Sequence, residues 1–351
     1  MRKHYLLLTS IIVTLCVGAV RAQEEQVVKA STLSDIPENK LYNEGIALAE
    51  QKNYAAAIEK FTAAIAIKAD FAEAYYNRAI AKNLNDDAES ALEDLERAIT
   101  LQATANMYFL KGRISQNLDY HEEAMEAFTQ ALTLNSALSD AYYYRAALHF
   151  AAGQYDDAIG DYTECIRVSP KYADAYNDRA SCYRQMGQYD LAIEDYTQAI
   201  NINKTTHFLY TNRGSVYRMD KRYEEAIKDY DVALSLTTEN KALILNNKGL
   251  THDGMGDFES AVKDFLAAQQ ADATYLYAYN NAGNAYYKLK KYAEAKEQYN
   301  KAIEINPNFG EAYLNRGIVL EMLREDACAD WSKAAELEIK IANSYIAKQC
   351  N

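Results

Sequence analysis

The sequence predicts an all-α fold: an α-solenoid of about nine helix–turn–helix repeats closed by a C-terminal capping helix. Three observations carry this. The 351 residues hold 30 Tyr but only 3 Pro and 13 Gly, with little of the Val, Ile and Thr clustering that strands need. An alanine recurs at Ala57, Ala91, Ala124, Ala158, Ala192, Ala226, Ala261 and Ala295, a period of about 34 residues. Around each alanine, large and small residues return at intervals of three and four, the spacing of one helix face.

The elements follow in order. Residues 1–22 read as a cleaved export signal: Arg2, Lys3 and His4 precede an apolar run from Tyr5 to Val20, and Val20-Arg21-Ala22 offers small residues to a signal peptidase. The run is short for a retained membrane span. Leu15 is too large to precede a lipidated cysteine at Cys16. Residues 23–36 are expected to be a flexible segment, and 37–351 one continuous solenoid. Each unit opens with a helix holding a Gly or Ala at Gly45, Ala79, Gly112, Ala146, Ala180, Gly214, Gly249, Gly283 and Gly317, with a large residue four positions earlier. The second helix places Phe61, Leu95, Phe128, Tyr162, Tyr196, Tyr230, Phe265 and Tyr299 four residues after the recurring alanine. Nearly all the tyrosines are expected in the repeat core. Short breaks such as "MGQYD" and "MGDFE" separate the helices, with Gly187 and Gly256 suited to a helix end.

This large–small pattern, with Pro170 and Pro307 at equivalent repeat ends, resembles the tetratricopeptide repeat family over nearly all of the mature chain. Units start near residues 38, 72, 105, 139, 173, 207, 242, 276 and 310. In the ninth, Ala327, Trp331 and Ala334 fall two residues early, so its inter-helix turn is expected to be shortened. Ile339, Ala342, Tyr345 and Ile346 have helical spacing and no following unit, which predicts the capping helix at about 339–350. The resemblance implies antiparallel helix pairs in a right-handed superhelix, first helices lining the concave face.

Enzyme chemistry finds no foothold. His121, His149, His207 and His252 lie at unrelated repeat positions. No Cys or His pair has metal-ligand spacing, and there is no phosphate loop or Gly-x-Ser-x-Gly. Acid pairs such as Asp156-Asp157 and Glu224-Glu225 open second helices, where they complement the helix dipole. No catalytic residue, metal or cofactor is expected. After signal cleavage 34 basic residues face 50 acidic ones, a net charge of about −16 that disfavours nucleic acid and anionic lipid.

Four cysteines remain, an even number in an exported chain. Cys328 and Cys350 lie about ten and about twelve residues either side of a turn near Glu338, which brings them opposite one another in an antiparallel pair. A disulfide is expected there. Cys165 and Cys182 flank the turn near Pro170 less symmetrically, and are either a second bond or two small core residues.

Six residues into each unit stand Asn43, Asn77, Leu110, Tyr144, Asp178, Asn212, Asn247, Asn281 and Asn315. In the family this position faces the concave groove. The resemblance implies that Asn43, Asn77, Asp178, Asn212, Asn247, Asn281 and Asn315 form a ladder that pairs with an extended peptide backbone, since amides donate and accept. Tyr42, Tyr76, Phe109 and Tyr143 give the first half of that face aromatic neighbours. Asn177, Arg184, Arg218, Asn246, Asn280, Asn284 and Lys288 make the second half polar. The function expected is protein or peptide binding in the groove, with no membrane span after cleavage. The compartment expected is the periplasm or outer-membrane periphery of a Gram-negative bacterium. The alternative is a scaffold that assembles an envelope complex through its convex face or edges.

Overall fold

The computed structural model describes residues 35–350, so the expected signal at 1–22 and nearly all of the 23–36 segment lie outside the described residues. Every described element is helical. By contact the chain divides into two compact units, with the boundary at Gly187.

The first unit holds α1 (Pro37–Glu50), α2 (Tyr54–Ile67), α3 (Ala72–Asn83), α4 (Ala88–Leu101), α5 (Ala105–Asn117), α6 (His121–Leu134), α7 (Ser139–Ala151), α8 (Tyr155–Val168) and α9 (Ala173–Gln185). The second holds α10 (Tyr189–Ile202), α11 (His207–Met219), α12 (Tyr223–Leu236), α13 (Lys241–Met255), α14 (Phe258–Ala271), α15 (Leu276–Lys288), α16 (Tyr292–Ile305), α17 (Gly310–Leu323), α18 (Cys328–Glu336) and α19 (Ala342–Gln349). Within each unit, a second helix such as α2 or α14 packs on the first helix of its own repeat and on that of the next. First helices also touch one another directly, α1 with α3 and α7 with α9, and likewise α11, α13, α15 and α17 in succession. Two layers result, one of first helices and one of second helices.

Close approach of helix backbones builds each pair. The recurring alanines from Ala57 to Ala295 are completely buried. A Cβ on Gly45, Gly112 or Gly249 would stand 2.6 Å from the ring of Phe61, Phe128 or Phe265, so the ring fills the space a side chain would need. One left-handed residue reverses the chain between the two helices of each repeat. Glycine supplies it at Gly153, Gly187 and Gly256, and Lys52, Asp86, Asp119, Lys221, Lys290 and Arg324 adopt it elsewhere.

A clamp unforeseen in the sequence recurs along the repeats. Arg78 donates through Nε and Nη2 to the Asp94 carboxylate at 2.7 and 2.6 Å, and through Nη1 to Thr62 of the preceding repeat at 3.0 Å. Arg145 treats Asp161 and Thr129 in the same way, and Arg213 treats Asp229 and Thr197 likewise. Arg316 grips Asp330 and Asn300. The planar guanidinium suits this bidentate geometry, and one side chain ties three helices. Each of these guanidinium groups also lies over the tyrosine one turn earlier, at 5.3 Å for Arg78 on Tyr75 and 5.4 Å for Arg316 on Tyr313. Tyr75, Tyr142, Tyr210 and Tyr313 are half-buried, pack against the core clusters as expected, and also support an arginine.

The ninth repeat departs from its expected form. Its inter-helix turn is not shortened: residues 324–327 join α17 to α18, against residues 289–291 between α15 and α16. The two missing residues come out of the second helix, which loses its first turn and has 9 residues where α16 has 14. Trp331 still packs against Gly317, so the core contact is kept and the helix start gives way. The capping helix is also shorter than expected. Residues 337–341 form a turn with Glu338 left-handed, and Ile339 seats against Gly310.

The Sγ atoms of Cys328 and Cys350 lie within bonding distance, with Cα atoms 5.7 Å apart. Cys165 and Cys182 are not joined. Each is a thiol buried completely in the core, and burial pushes the Cys165 thiol up to about 12.

Candidate functional site on the first-helix face

The expected ladder divides into buried and half-exposed members. Asn77, Asn281 and Asn315 are buried, a correction to the reading that places them in the groove. Their amides bond backwards to the neighbouring first helix. Asn77 Nδ2 donates to Tyr42 Oη at 2.8 Å, and Asn281 Nδ2 to Asn246 Oδ1 at 2.9 Å. Asn315 Nδ2 donates to Asn280 Oδ1 and Asn284 Oδ1, both at 3.2 Å. Tyr143 Oη donates to Asp178 at 2.8 Å by the same register, and between α5 and α7 the Phe109 and Tyr144 rings lie 5.9 Å apart. The ladder position of one repeat thus meets the residue just before that position in the preceding repeat. First helices approach too closely for both to face outward. The buried amides are bonded across the seam, which offsets most of their desolvation cost, although among the described residues Asn280 Nδ2 and Asn315 Oδ1 have no partner.

The neighbours sort the same way. Tyr42, Tyr76, Tyr143, Asn177, Asn246 and Asn280 are buried. Asn43, Asn212, Asn247, Phe109, Arg184, Arg218, Asn284 and Lys288 are half-exposed. Lys288 donates to Asp253 at 2.6 and 2.7 Å and lies over the Phe258 ring. Asn284 Oδ1 also accepts from Tyr299 Oη at 2.8 Å.

Asp178 is the one carboxylate in the ladder. Burial pushes its carboxyl up to about 6, against hydrogen bonds from Tyr143 and Asn177 that favour the charged form. The folded chain therefore holds this proton more tightly than the unfolded chain, whose carboxyl titrates near 4. Its contribution to stability is full below about pH 4 and is lost as pH rises through about 6. Asp178→Asn is expected to gain up to about 3 kcal/mol over the parent between pH 4 and pH 7. Urea unfolding of both across that range checks this, and a difference that does not change with pH refutes it.

Among the described residues no cluster of His, Cys, Asp and Glu could hold a metal ion, and no helix is long and apolar enough to cross a membrane.

Models of the tetratricopeptide repeat match residues 42–108, 105–138, 139–172, 173–205, 209–240 and 242–275, and a TPR repeat model matches 283–323. The chain belongs to the tetratricopeptide repeat family. It is 34% identical over 100 residues to mouse RNA polymerase II-associated protein 3, a match covering 28% of this chain and 15% of that protein. Human tetratricopeptide repeat protein 6 is 32% identical over 84 residues, 24% of this chain and 16% of that protein. The matches span about a sixth of these relatives' length. The fold is shared with the C-terminal part of a TPR repeat-containing protein from Cytophaga hutchinsonii, at TM-score 0.54 and 15% identity, covering 78% of this chain and 98% of that one. Tetratricopeptide repeats are protein–protein interaction modules.

Proposed function

We infer that this tetratricopeptide array is a non-enzymatic docking module that receives an extended protein segment on its first-helix face, in the bacterial cell envelope. The observation that carries this is the succession α11, α13, α15 and α17, each touching the next, with Asn212, Asn247, Asn284 and Arg218 half-exposed along it. Amide and guanidinium groups there can bond a peptide backbone whatever its side chains. The seam of Asn246, Asn280, Asn281 and Asn315 beneath them is buried and holds the helices in one register. A preformed face needs little ordering when a flexible segment lies along it. Export is supported by the basic start, the apolar run to Val20 and the small residues before Gln23.

A photo-crosslinking residue at Asn247 is expected to capture a protein partner in cells, and the triple change of Asn212, Asn247 and Asn284 to alanine to weaken its binding at least tenfold with helicity unchanged. Capture from Lys263 on the opposite layer, with none from Asn247, would instead favour assembly through the second helices. That second reading rests on apolar side chains at the ends of second helices, Ile67 54% and Leu134 52% exposed.

A further inference from the structure

We propose that Cys328 and Cys350 form a redox latch that holds the capping helix over the last repeat, and that reduction of their disulfide releases the cap. Apart from this bond the cap is a short element. Helix α19 has eight residues, too few to be stable in water without support. Ala342 is its only fully buried side chain, and Asn343, Ser344, Ala347, Lys348 and Gln349 are exposed. Its contacts with the repeat include the buried Ala342, Tyr345 stacked on Trp331 at 5.1 Å, a half-buried Ile346, and a hydrogen bond from Gln349 to Glu321 at 2.8 Å.

The two cysteines bracket this arrangement. Cys328 is the first residue of α18 and Cys350 follows the last residue of α19, so a bond between them closes the whole α18–turn–α19 hairpin. It closes a loop 22 residues apart in sequence, which limits how far an undocked α19 can move from the repeat. Both cysteines are partly exposed, whereas Cys165 and Cys182 are buried completely. A small reductant can therefore reach the terminal pair and not the core thiols. An external dithiol attacks one sulfur to give a mixed disulfide, and its second thiol displaces the remaining protein thiol. The Cys328–Cys350 bond breaks and two protein thiols form. The dithiol is oxidised to its cyclic disulfide by giving up two electrons and two protons.

What the latch covers is apolar. Leu314, Ile318, Trp331 and Ala334, all buried, share one core cluster with Ala342 of α19. Loss of the cap uncovers Trp331 at the end of the array, and Trp331 is the only tryptophan in the chain. Its fluorescence therefore reports the latch directly.

The test uses the full mature chain. Thiol alkylation and mass measurement establish the bond in the oxidised protein, and acrylamide quenching of Trp331 is followed before and after dithiothreitol. Reduction is expected to shift the emission to longer wavelength and to raise the quenching constant at least twofold, reversibly on reoxidation. Cys350→Ser and Cys328→Ser are expected to show the reduced behaviour with or without reductant, with far-ultraviolet circular dichroism close to the parent. Three results overturn the proposal: terminal thiols that stay free in the oxidised protein, Trp331 quenching that ignores a verified reduction, or a loss of helicity on reduction far larger than α19 can supply.

Discussion

Trp331→Ala is expected to destabilise the C-terminal end by about 3–5 kcal/mol, the cost of deleting a large side chain from a packed core. Trp331 is the largest fully buried side chain in the protein. It touches the Gly317 backbone on one side and the Tyr345 ring on the other, so neither a neighbouring side chain nor the short α18 can close the cavity. In a repeat protein each unit is supported mainly by its neighbours, so the loss should concentrate in α17–α19. Amide hydrogen exchange checks this: protection should fall sharply in α17–α19 and hardly at all in α2–α4. Uniform loss along the chain would refute a local role.

Asp229→Ala is expected to cost about 3 kcal/mol. The substitution strands the Arg213 guanidinium, which is largely buried and which Asp229 holds at 2.8 Å through both oxygens. Most of the penalty comes from leaving that charge without its partner rather than from the pair's own attraction. The double change Arg213→Met, Asp229→Leu should therefore be the milder one, since it removes both charges and keeps apolar volume. Urea unfolding of the parent, the single and the double variant decides the matter. A double variant as unstable as Asp229→Ala would mean that the clamp works chiefly through the Arg213–Thr197 bond.

The sequence shows where each repeat begins, because core packing repeats a composition: a completely buried alanine, a ring four residues later, and a glycine or alanine against that ring. It does not show which way the asparagines point. Angular position on an isolated helix puts Asn281 and Asn315 opposite the small packing residue, a direction that reads as open groove. In the fold it points at the next first helix, and the gap between those helices is set by Gly and Ala on several elements at once. A clue was available in the neighbouring pairs Asn246-Asn247 and Asn280-Asn281, since one member of each can serve each adjoining repeat. The arginine clamp was also legible as arginine directly before the small residue with aspartate 16 positions on, at Arg78, Arg145 and Arg213. Counting apolar periods alone passes over it. The ninth repeat is ambiguous in sequence for another reason. A two-residue deletion can be absorbed by a turn or by a helix end, and only packing around Trp331 decides between them.

The bonds of the first-helix seam join residues 35 apart in a chain that repeats every 34 or so, and this offset governs how such an array can grow or shrink. Each repeat carries one half of two different contacts, so a whole repeat can be duplicated or excised only where the new neighbours complete each other. Repeat eight meets that condition, because Asn281 faces Asn246 of repeat seven and Asn315 of repeat nine faces Asn280, asparagine against asparagine. Tyr143 and Asp178 are a matched lock between repeats four and five, and a repeat inserted there would set a phenol or a carboxylate against a stranger. Length variation in descendants of this chain should therefore collect toward its C-terminal third and avoid the Tyr143–Asp178 junction.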